Sequence, residues 1–216
     1  MSKRVFVIGD SISMHYGPYL EKMIEPACQY DRKRGAQKAE ADLDTPAGAN
    51  GGDSSHVLAY LQSEKGKGQL PFDLMVFNCG LHDIKTDPQS GRVQISAEAY
   101  ENNLNRICDL VLASNIAIIW ISTTPVDDER HSTRVKVFSR YNRDVIRYNE
   151  IALATMRKHK IPTIDLYVFT ATLGPEAYCD HVHFNNETRK LQAAFIAGHI
   201  LMEQNLNIVG LGDQKS

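Results

Sequence analysis

Four short runs of nearly continuous apolar residues recur along the chain, and helical patterns separate them. Strands of a parallel sheet have this composition because helices cover both of their faces. The runs cover residues 4–8, 73–79, 116–122 and 162–166, and a weaker candidate covers 27–32. The alternation predicts an α/β protein of three layers, α/β/α, around a mostly parallel sheet of five strands.

Helices are predicted where apolar residues recur every three or four positions. They cover residues 18–24, 54–63, 97–113, 143–159 and 186 to about 204. Two polar segments between these elements, 33–50 and 126–141, are expected to be insertions. The charged run 127–131 in the second insertion is expected to be solvated surface.

Composition narrows the class of protein. The 216 residues are 43% hydrophobic, which predicts one domain over 1–209 and a frayed tail at 210–216. A formal charge of -2 removes the main electrostatic reason for a nucleic-acid or membrane partner.

Without an apolar N-terminal signal or a CxxC pair, we expect a cytoplasmic protein whose four cysteines are buried thiols. The oligomeric state stays open.

A Gly-Asp-Ser turn follows the first apolar run. Ligands of α/β sheets bind at the carboxyl ends of the strands, so Ser11 can be presented there as a nucleophile, and its N–H can contribute to an oxyanion hole. In the alternative interpretation, Asp10 and Ser11 only cap the turn into the next helix. The turn is not a GxSxG elbow, because Ser13 stands where that motif has glycine.

A second segment, Asp180-His181-Val182-His183, lies between the last predicted strand and the last predicted helix. An Asp three residues before a His can bond one ring nitrogen and leave the other facing a serine. Asp180 and His183 fit these roles, whereas His181 would face elsewhere in an extended segment. Most DxxH sequences have no catalytic meaning, so this pattern alone decides nothing.

Two further segments place polar groups after predicted strands. The segment 77–83 runs from a strand into Asn78, His82 and Asp83, where a side chain could lie beside Ser11. The glycine-rich loop 48–55 exposes backbone N–H groups that could hold an oxyanion or a phosphate. It lacks the Lys-Ser/Thr pair of a P-loop, so nucleotide binding is weakly supported.

A metal hydrolase is an alternative for the same residues. A catalytic zinc site needs three protein ligands, and a two-metal site also needs bridging carboxylates. The candidate ligands are Asp10, His82, Asp83, Asp180 and His183. This interpretation leaves Ser11 without a function.

Taken together and in this order, residues 9–12, 51–55, 80–83 and 180–183 resemble the sequence blocks of the SGNH hydrolase superfamily, also called GDSL esterases. The superfamily has a three-layer fold with a flavodoxin-like sheet, which agrees with the predicted elements. The resemblance implies Ser11 as nucleophile, Asp180 as the carboxylate and His183 as the general base.

The resemblance also implies an oxyanion hole formed by Ser11, Gly52 and the third-block residue, with Gly51 as the fallback for Gly52. The third block of the superfamily reads Gly-x-Asn-Asp, whereas this chain has His82 in place of the asparagine. A neutral imidazole can still donate one N–H to an oxyanion, and an imidazolium would do so more strongly. Asp10, Gly51, Asn78 and Asp83 are expected to be supporting or substrate-facing.

The expected function is that of a serine esterase without metal or organic cofactor. Its small-molecule substrate is expected to be a short-chain ester, with acetyl favoured, of a small polar or carbohydrate alcohol. Polar side chains near the predicted site suit such a substrate, namely His15, Tyr16, His56, Asn78 and Tyr178. Alternatives are the metal hydrolase, acyl transfer to another alcohol, and a noncatalytic module that binds acylated glycans.

Overall fold

The computed structural model describes residues 2–68 and 70–209. At its centre lies a sheet of five strands in the order β2-β1-β3-β4-β5, and every pairing is parallel. The strands are β1 (Lys3–Ile8), β2 (Cys28–Arg32), β3 (Leu74–Phe77), β4 (Ala117–Ile121) and β5 (Thr163–Ile164). The predicted α/β class and all five predicted strands are confirmed, including the weak candidate at 27–32.

Eight α-helices lie within the described residues. They are α1 (Ser11–Ile24), α2 (Ala36–Glu40), α3 (Ser54–Gly66), α4 (Ala97–Leu112), α5 (Asp128–Arg134), α6 (Asn142–Lys158), α7 (Leu166–Ala171) and α8 (Asn186–Val209). The predicted helices at 54–63, 97–113, 143–159 and 186–204 are confirmed with small differences at their ends. The sequence prediction missed α7 and the 3₁₀ turn Pro175–Ala177.

The first helix begins earlier than the sequence prediction, which started it at Pro18. Asp10 is the N-cap, and its carboxylate accepts a hydrogen bond from the Ile12 N–H at 2.9 Å. This bond satisfies one of the amides that a helix leaves free at its start. The helix therefore begins at Ser11, and Pro18 lies inside it.

The helices form two layers on the sheet. The chain runs from β1 to β2 in one direction along the sheet and then continues from β3 to β5 in the other direction. Because the crossovers are right-handed, this reversal places helices on both faces of the sheet. Accordingly α1 and α7 pack against α8, whereas α4 packs against α3 and α6. The strands β1, β3 and β4 are buried between the layers over most of their length.

The two expected insertions each contain a short helix, α2 in 33–50 and α5 in 126–141. The charged run 127–131 forms the start of α5, where Asp127 accepts from the Arg130 N–H at 2.9 Å. The expectation of solvated surface is wrong for His131, which is buried, because the helix turns it inward. Asp128 and Glu129 are exposed as expected.

All four cysteines are free, and Cys28, Cys79 and Cys108 are buried as predicted. The prediction is wrong for Cys179, which is exposed because it lies in the loop before α8. Among the described residues, no helix combines the length and apolarity that crossing a membrane requires. The tail expected at 210–216 lies outside the described residues.

Candidate active site

Ser11 lies at the edge of the sheet where strand order reverses. It follows the carboxyl end of β1, whose neighbours are β2 and β3. Because Ser11 is the first residue of α1, its N–H has no acceptor within the helix and lies at the positive end of the helix dipole. This position favours negative charge beside Ser11, a residue that is 4% exposed.

A continuous chain of hydrogen bonds joins Ser11, His183 and Asp180. The Ser11 Oγ lies 2.9 Å from His183 Nε2, and His183 Nδ1 lies 2.7 Å from Asp180 Oδ2. The carboxylate fixes the tautomer with a proton on Nδ1, so Nε2 is free to accept the hydroxyl proton of the serine. The arrangement can activate Ser11 as a nucleophile.

Asp180 is held by its own loop as well as by the histidine. Its Oδ1 accepts hydrogen bonds from the backbone N–H groups of Val182 at 2.8 Å and His183 at 2.7 Å. Partial burial alone would raise the pKa of Asp180, but the hydrogen bonds and charge of His183, together with the two amides, hold the pKa well below its ordinary value. The carboxylate therefore stays ionised at neutral pH.

His181 stands apart from this chain, as expected from its position. Neither of its ring nitrogens has a hydrogen-bond partner among the described residues, and its Nδ1 lies 3.8 Å from Asp180 Oδ1. Burial lowers the pKa of His181 to about 4, although the charge of Asp180 opposes the shift. The described part of the chain contains no group of three or more His, Cys, Asp or Glu side chains arranged to hold a metal.

The glycine-rich loop approaches β1 closely. A Cβ at Gly51 would lie 2.9 Å from the Gly9 carbonyl oxygen, so only glycine fits there without displacing backbone. The Gly51 N–H donates to that same oxygen at 2.8 Å, which corrects its expected role as a reserve oxyanion donor. The Gly52 N–H donates to Asn50 Oδ1 at 2.9 Å, so a bound oxyanion would have to share or replace this bond.

Asn50, which the sequence analysis did not single out, controls this N–H. Its side chain is fully buried and spans the loop, because Nδ2 donates to the Leu43 carbonyl at 2.9 Å while Oδ1 accepts from Gly52. The bond to Leu43 holds the glycine-rich loop against the preceding part of the first insertion. The glycine-rich sequence predicted only that backbone amides are exposed in this loop, and it did not predict the buried side chain of Asn50.

His82 follows β3 and is almost completely buried. Its Nδ1 has no hydrogen-bond partner among the described residues. A buried N–H group without an acceptor costs more free energy than a buried ring nitrogen that carries only a lone pair. We therefore assign the ring proton of His82 to Nε2. Burial, reinforced by the charges of Arg140 and Lys85, lowers the pKa of His82 well below its ordinary value. The ring is therefore a neutral donor of one N–H.

The residues expected to be supporting or substrate-facing all support the backbone. Asp10 caps α1, and Asn78 Nδ2 donates to the Ile121 carbonyl at 2.7 Å, which ties the ends of β3 and β4 together. Asp83 accepts the Ser54 N–H at 2.9 Å and 3.1 Å with its two oxygens. Burial raises the pKa of Asp83 to about 8, although the Ser54 bonds oppose the shift.

Two other residues lie near the site, His15, which was expected only as a polar side chain suited to the substrate, and Arg140, which was not predicted. His15 packs edge-on against His183 with ring centroids 5.0 Å apart, and burial with the nearby cations lowers its pKa to about 3. Arg140 is buried in the second insertion, where the polar sequence gave no signal of burial. Their contacts appear only when α1 and the two insertions come together around Ser11.

An α/β/α sheet that carries a hydrogen-bonded Ser-His-Asp chain at its carboxyl edge has the geometry of a serine hydrolase. A model of the GDSL-like Lipase/Acylhydrolase family matches residues 7–191. This match covers more than half of the chain, which therefore belongs to the GDSL-like lipase/acylhydrolase family. The family match agrees with the SGNH resemblance of the sequence blocks.

Solved structures share this fold at low sequence identity. A lipase/acylhydrolase from Enterococcus faecalis is 19% identical with a TM-score of 0.68, and the match covers 92% of this chain and 95% of the Enterococcus faecalis chain. A GDSL-like lipase from Bacteroides thetaiotaomicron is 17% identical with a TM-score of 0.67, over 93% and 89% of the two chains. A carbohydrate acetylesterase from Sinorhizobium meliloti is 15% identical with a TM-score of 0.64, over 93% and 99%. Comparison with curated protein sequences gives no match.

Proposed function

We propose that this protein is a serine esterase that hydrolyses short-chain esters, in particular acetyl esters, of small polar or carbohydrate alcohols. The observation that carries the proposal is the chain from Ser11 Oγ to His183 at 2.9 Å and on to Asp180 at 2.7 Å. The fold and the family are consistent with this chemistry.

In the proposed mechanism, Ser11 Oγ attacks the ester carbonyl carbon while His183 Nε2 accepts the hydroxyl proton. The carbonyl oxygen becomes an oxyanion, which the N–H groups of Ser11, Gly52 and His82 stabilise. When the tetrahedral intermediate collapses, the C–O bond to the alcohol breaks and His183 returns its proton to the leaving oxygen. A water molecule then attacks the acyl-enzyme with His183 as base, which releases the acid and restores Ser11.

The choice of a short acyl group is supported by the polar surroundings of Ser11. The cavity of about 10 Å³ that borders Asp10, Ser13 and Tyr16 is not lined by Ser11, Asp180 or His183 and carries no information on acyl length. A larger cleft of about 360 Å³ lies along β5 and α6 and is not lined by Ser11, Asp180 or His183. The side chains nearest His183 are polar, His15 among them, which suits a polar alcohol.

Two structural neighbours support the choice of acetyl esters. The Sinorhizobium meliloti protein is named a carbohydrate acetylesterase, and another neighbour of the same fold is named an acetyl xylan esterase. At 15% and 18% identity these names supply a choice of substrates to assay first.

The test is hydrolysis of p-nitrophenyl acetate, butyrate and octanoate, followed by acetate release from an acetylated monosaccharide. We expect kcat/KM to fall with acyl length and hydrolysis to be lost in Ser11→Ala. Ser13→Ala is the matched control, because this buried hydroxyl donates to the Asp10 carbonyl at 2.7 Å and takes no part in the mechanism. It should retain most of the activity.

Other outcomes would redirect the proposal. A preference for octanoate would refute the short-chain assignment while keeping the serine mechanism. Chelator-sensitive activity that survives Ser11→Ala would refute the serine mechanism in favour of the metal alternative. Transfer of acetyl to an added sugar, faster than to water, would change the reaction from hydrolysis to acyl transfer.

A further inference from the structure

Arg140 is a buried cation placed where the two insertions meet. Its side chain is only 2% exposed, and its Nε donates to the Leu81 carbonyl at 2.8 Å. Its Nη2 donates to Asp44 Oδ1 at 3.0 Å, and its backbone N–H donates to His131 Nε2 at 3.0 Å. The guanidinium is therefore fixed against the carbonyl group immediately before His82.

Arg140 has one carboxylate within ion-pair distance, Asp44, and Asp10 and Asp180 act on its charge from further away. Asp44 is 37% exposed and also faces Lys85, whose Nζ lies 3.9 Å from the same Oδ1 and bonds the Asp44 carbonyl. Arg140 and Lys85 thus share Asp44 as their nearest carboxylate. Burying a guanidinium costs desolvation free energy even when it is paired, so a simple tether between loops would be better made from apolar side chains.

We propose that Arg140 is a positioning residue for the ester hydrolysis proposed above, holding the Leu81–His82 backbone so that the His82 ring presents its N–H to the oxyanion. This inference rests on the proposed function. The residue touches neither substrate nor Ser11 in this role and acts through His82.

The electrostatic part of the proposal has a definite sign. Burial and the charge of Arg140 both disfavour an imidazolium at His82, and both therefore lower its pKa. The other charged or titratable groups that act on His82 in the same direction are Lys85 on the following loop, His56 on α3, and His183. Removing the Arg140 charge should raise the pKa of His82.

The first experiment compares Arg140→Met, Arg140→Lys and Arg130→Met with the unchanged protein on p-nitrophenyl acetate. Arg130 is a matched control on the same segment. Like Arg140, which pairs with Asp44 and lies over the Phe138 ring, it pairs with an Asp, Asp127, and lies over an aromatic ring, that of Tyr178. We expect Arg140→Met to lower kcat about 10- to 100-fold with KM changed less than about threefold. Arg140→Lys should recover part of the loss, and Arg130→Met should have almost no effect.

The second experiment repeats Arg140→Met in a His82→Ala background. If Arg140 acts through His82, the second substitution should lower kcat by less than about threefold once the ring is gone. An equal loss in both backgrounds would overturn the proposal and make Arg140 a structural tether. Thermal unfolding of each variant shows how much of any loss reflects stability.

The third experiment does not depend on activity. The NMR signals of the His82 ring are followed from the lowest pH at which the protein stays folded up to about pH 8, in the unchanged protein and in Arg140→Met, because burial keeps the pKa of His82 well below its ordinary value. We expect titration to move to higher pH in the variant, and an unchanged titration would contradict the electrostatic role. If no ester is hydrolysed by the unchanged protein, the proposed function fails, while this measurement still decides whether Arg140 controls His82.

Discussion

His183 and His82 lie at the same edge of the sheet but have opposite surroundings. His183 has a partner at each ring nitrogen, Asp180 on one side and Ser11 on the other. His82 has no partner at Nδ1 among the described residues, and the charges that act on it most strongly are the cations Arg140 and Lys85. One ring is arranged to accept a proton and the other to remain a neutral donor.

The aspartates near these histidines extend the comparison. Asp180 turns its carboxylate towards His183 and is held ionised by hydrogen bonds. Asp83 is adjacent to His82 in the chain, yet it turns towards the Ser54 N–H at the start of α3. Adjacency in sequence therefore does not make a His-Asp pair, because the direction of the side chains decides it.

The largest loss of activity is expected from substitution of His183, the histidine with a partner at each ring nitrogen. His183→Ala should lower kcat by about 10⁴- to 10⁶-fold, because it removes the only acceptor placed at Ser11 Oγ among the described side chains. KM and thermal unfolding are measured with it. If His183→Ala and His82→Ala lose activity equally, the two rings do not have the separate roles proposed here.

The next prediction concerns the carboxylate. Asp180→Asn keeps the size of the side chain and can still accept the Val182 and His183 amides through Oδ1, but its NH₂ group would face His183 Nδ1. This change favours the wrong tautomer of the ring and should lower kcat about 10²- to 10⁴-fold. Single-turnover kinetics with p-nitrophenyl acetate measures the acylation step directly. Asp127→Asn, at the N-terminus of α5, is the control for a neighbouring capping carboxylate.

The third prediction uses two substitutions of His82 to separate its role from that of His183. His82→Ala should lower kcat about 10- to 10³-fold with little change in KM, because one oxyanion donor is lost. His82→Asn, which restores the residue usual at this position in the superfamily that the sequence resembles, should recover most of the loss. A full kcat in His82→Ala would show that only backbone donors act on the oxyanion.

The sequence predicted the fold well for a physical reason. Strands buried on both faces must be apolar throughout, so β1, β3 and β4 were visible as runs without a need for long-range information. The sequence also singled out Ser11, Asp180 and His183, which the structure joins by hydrogen bonds, because polar groups that follow such strands or precede the last helix stand out. The start of α1 was missed because Pro18 is a stronger local signal than the cap at Asp10.

The surroundings of the site could not be predicted in the same way. The burial of His131 and Arg140 depends on contacts between segments that are distant in the chain, such as Arg140 with Asp44. The bond from Gly52 to Asn50 likewise depends on the turn that the loop adopts. A polar insertion and a glycine-rich loop have many possible conformations, and their sequences alone do not select one.

The smallest effect on activity is expected from Asp83→Asn, which tests the second aspartate of the comparison. Burial raises the pKa of Asp83 from 3.8 to about 8, so between these values the folded protein binds a proton that the unfolded chain does not. Stability from this group is complete below about pH 4 and is lost as pH rises through about 8, with a slope of at most about 1.4 kcal/mol per pH unit. The asparagine side chain of the Asp83→Asn variant is uncharged in both states, so the slope should flatten.

Denaturant unfolding at several pH values between about 4 and about 8 measures this slope, and the kcat of Asp83→Asn should stay within about threefold. Asp109→Asn is the control, because this carboxylate is 73% exposed on α4. If Asp83→Asn lowered kcat as much as Asp180→Asn, the aspartate beside His82 would serve the reaction directly. The proposed difference between Asp180, an ionised partner of His183, and Asp83, a protonated side chain that supports α3, would then be wrong.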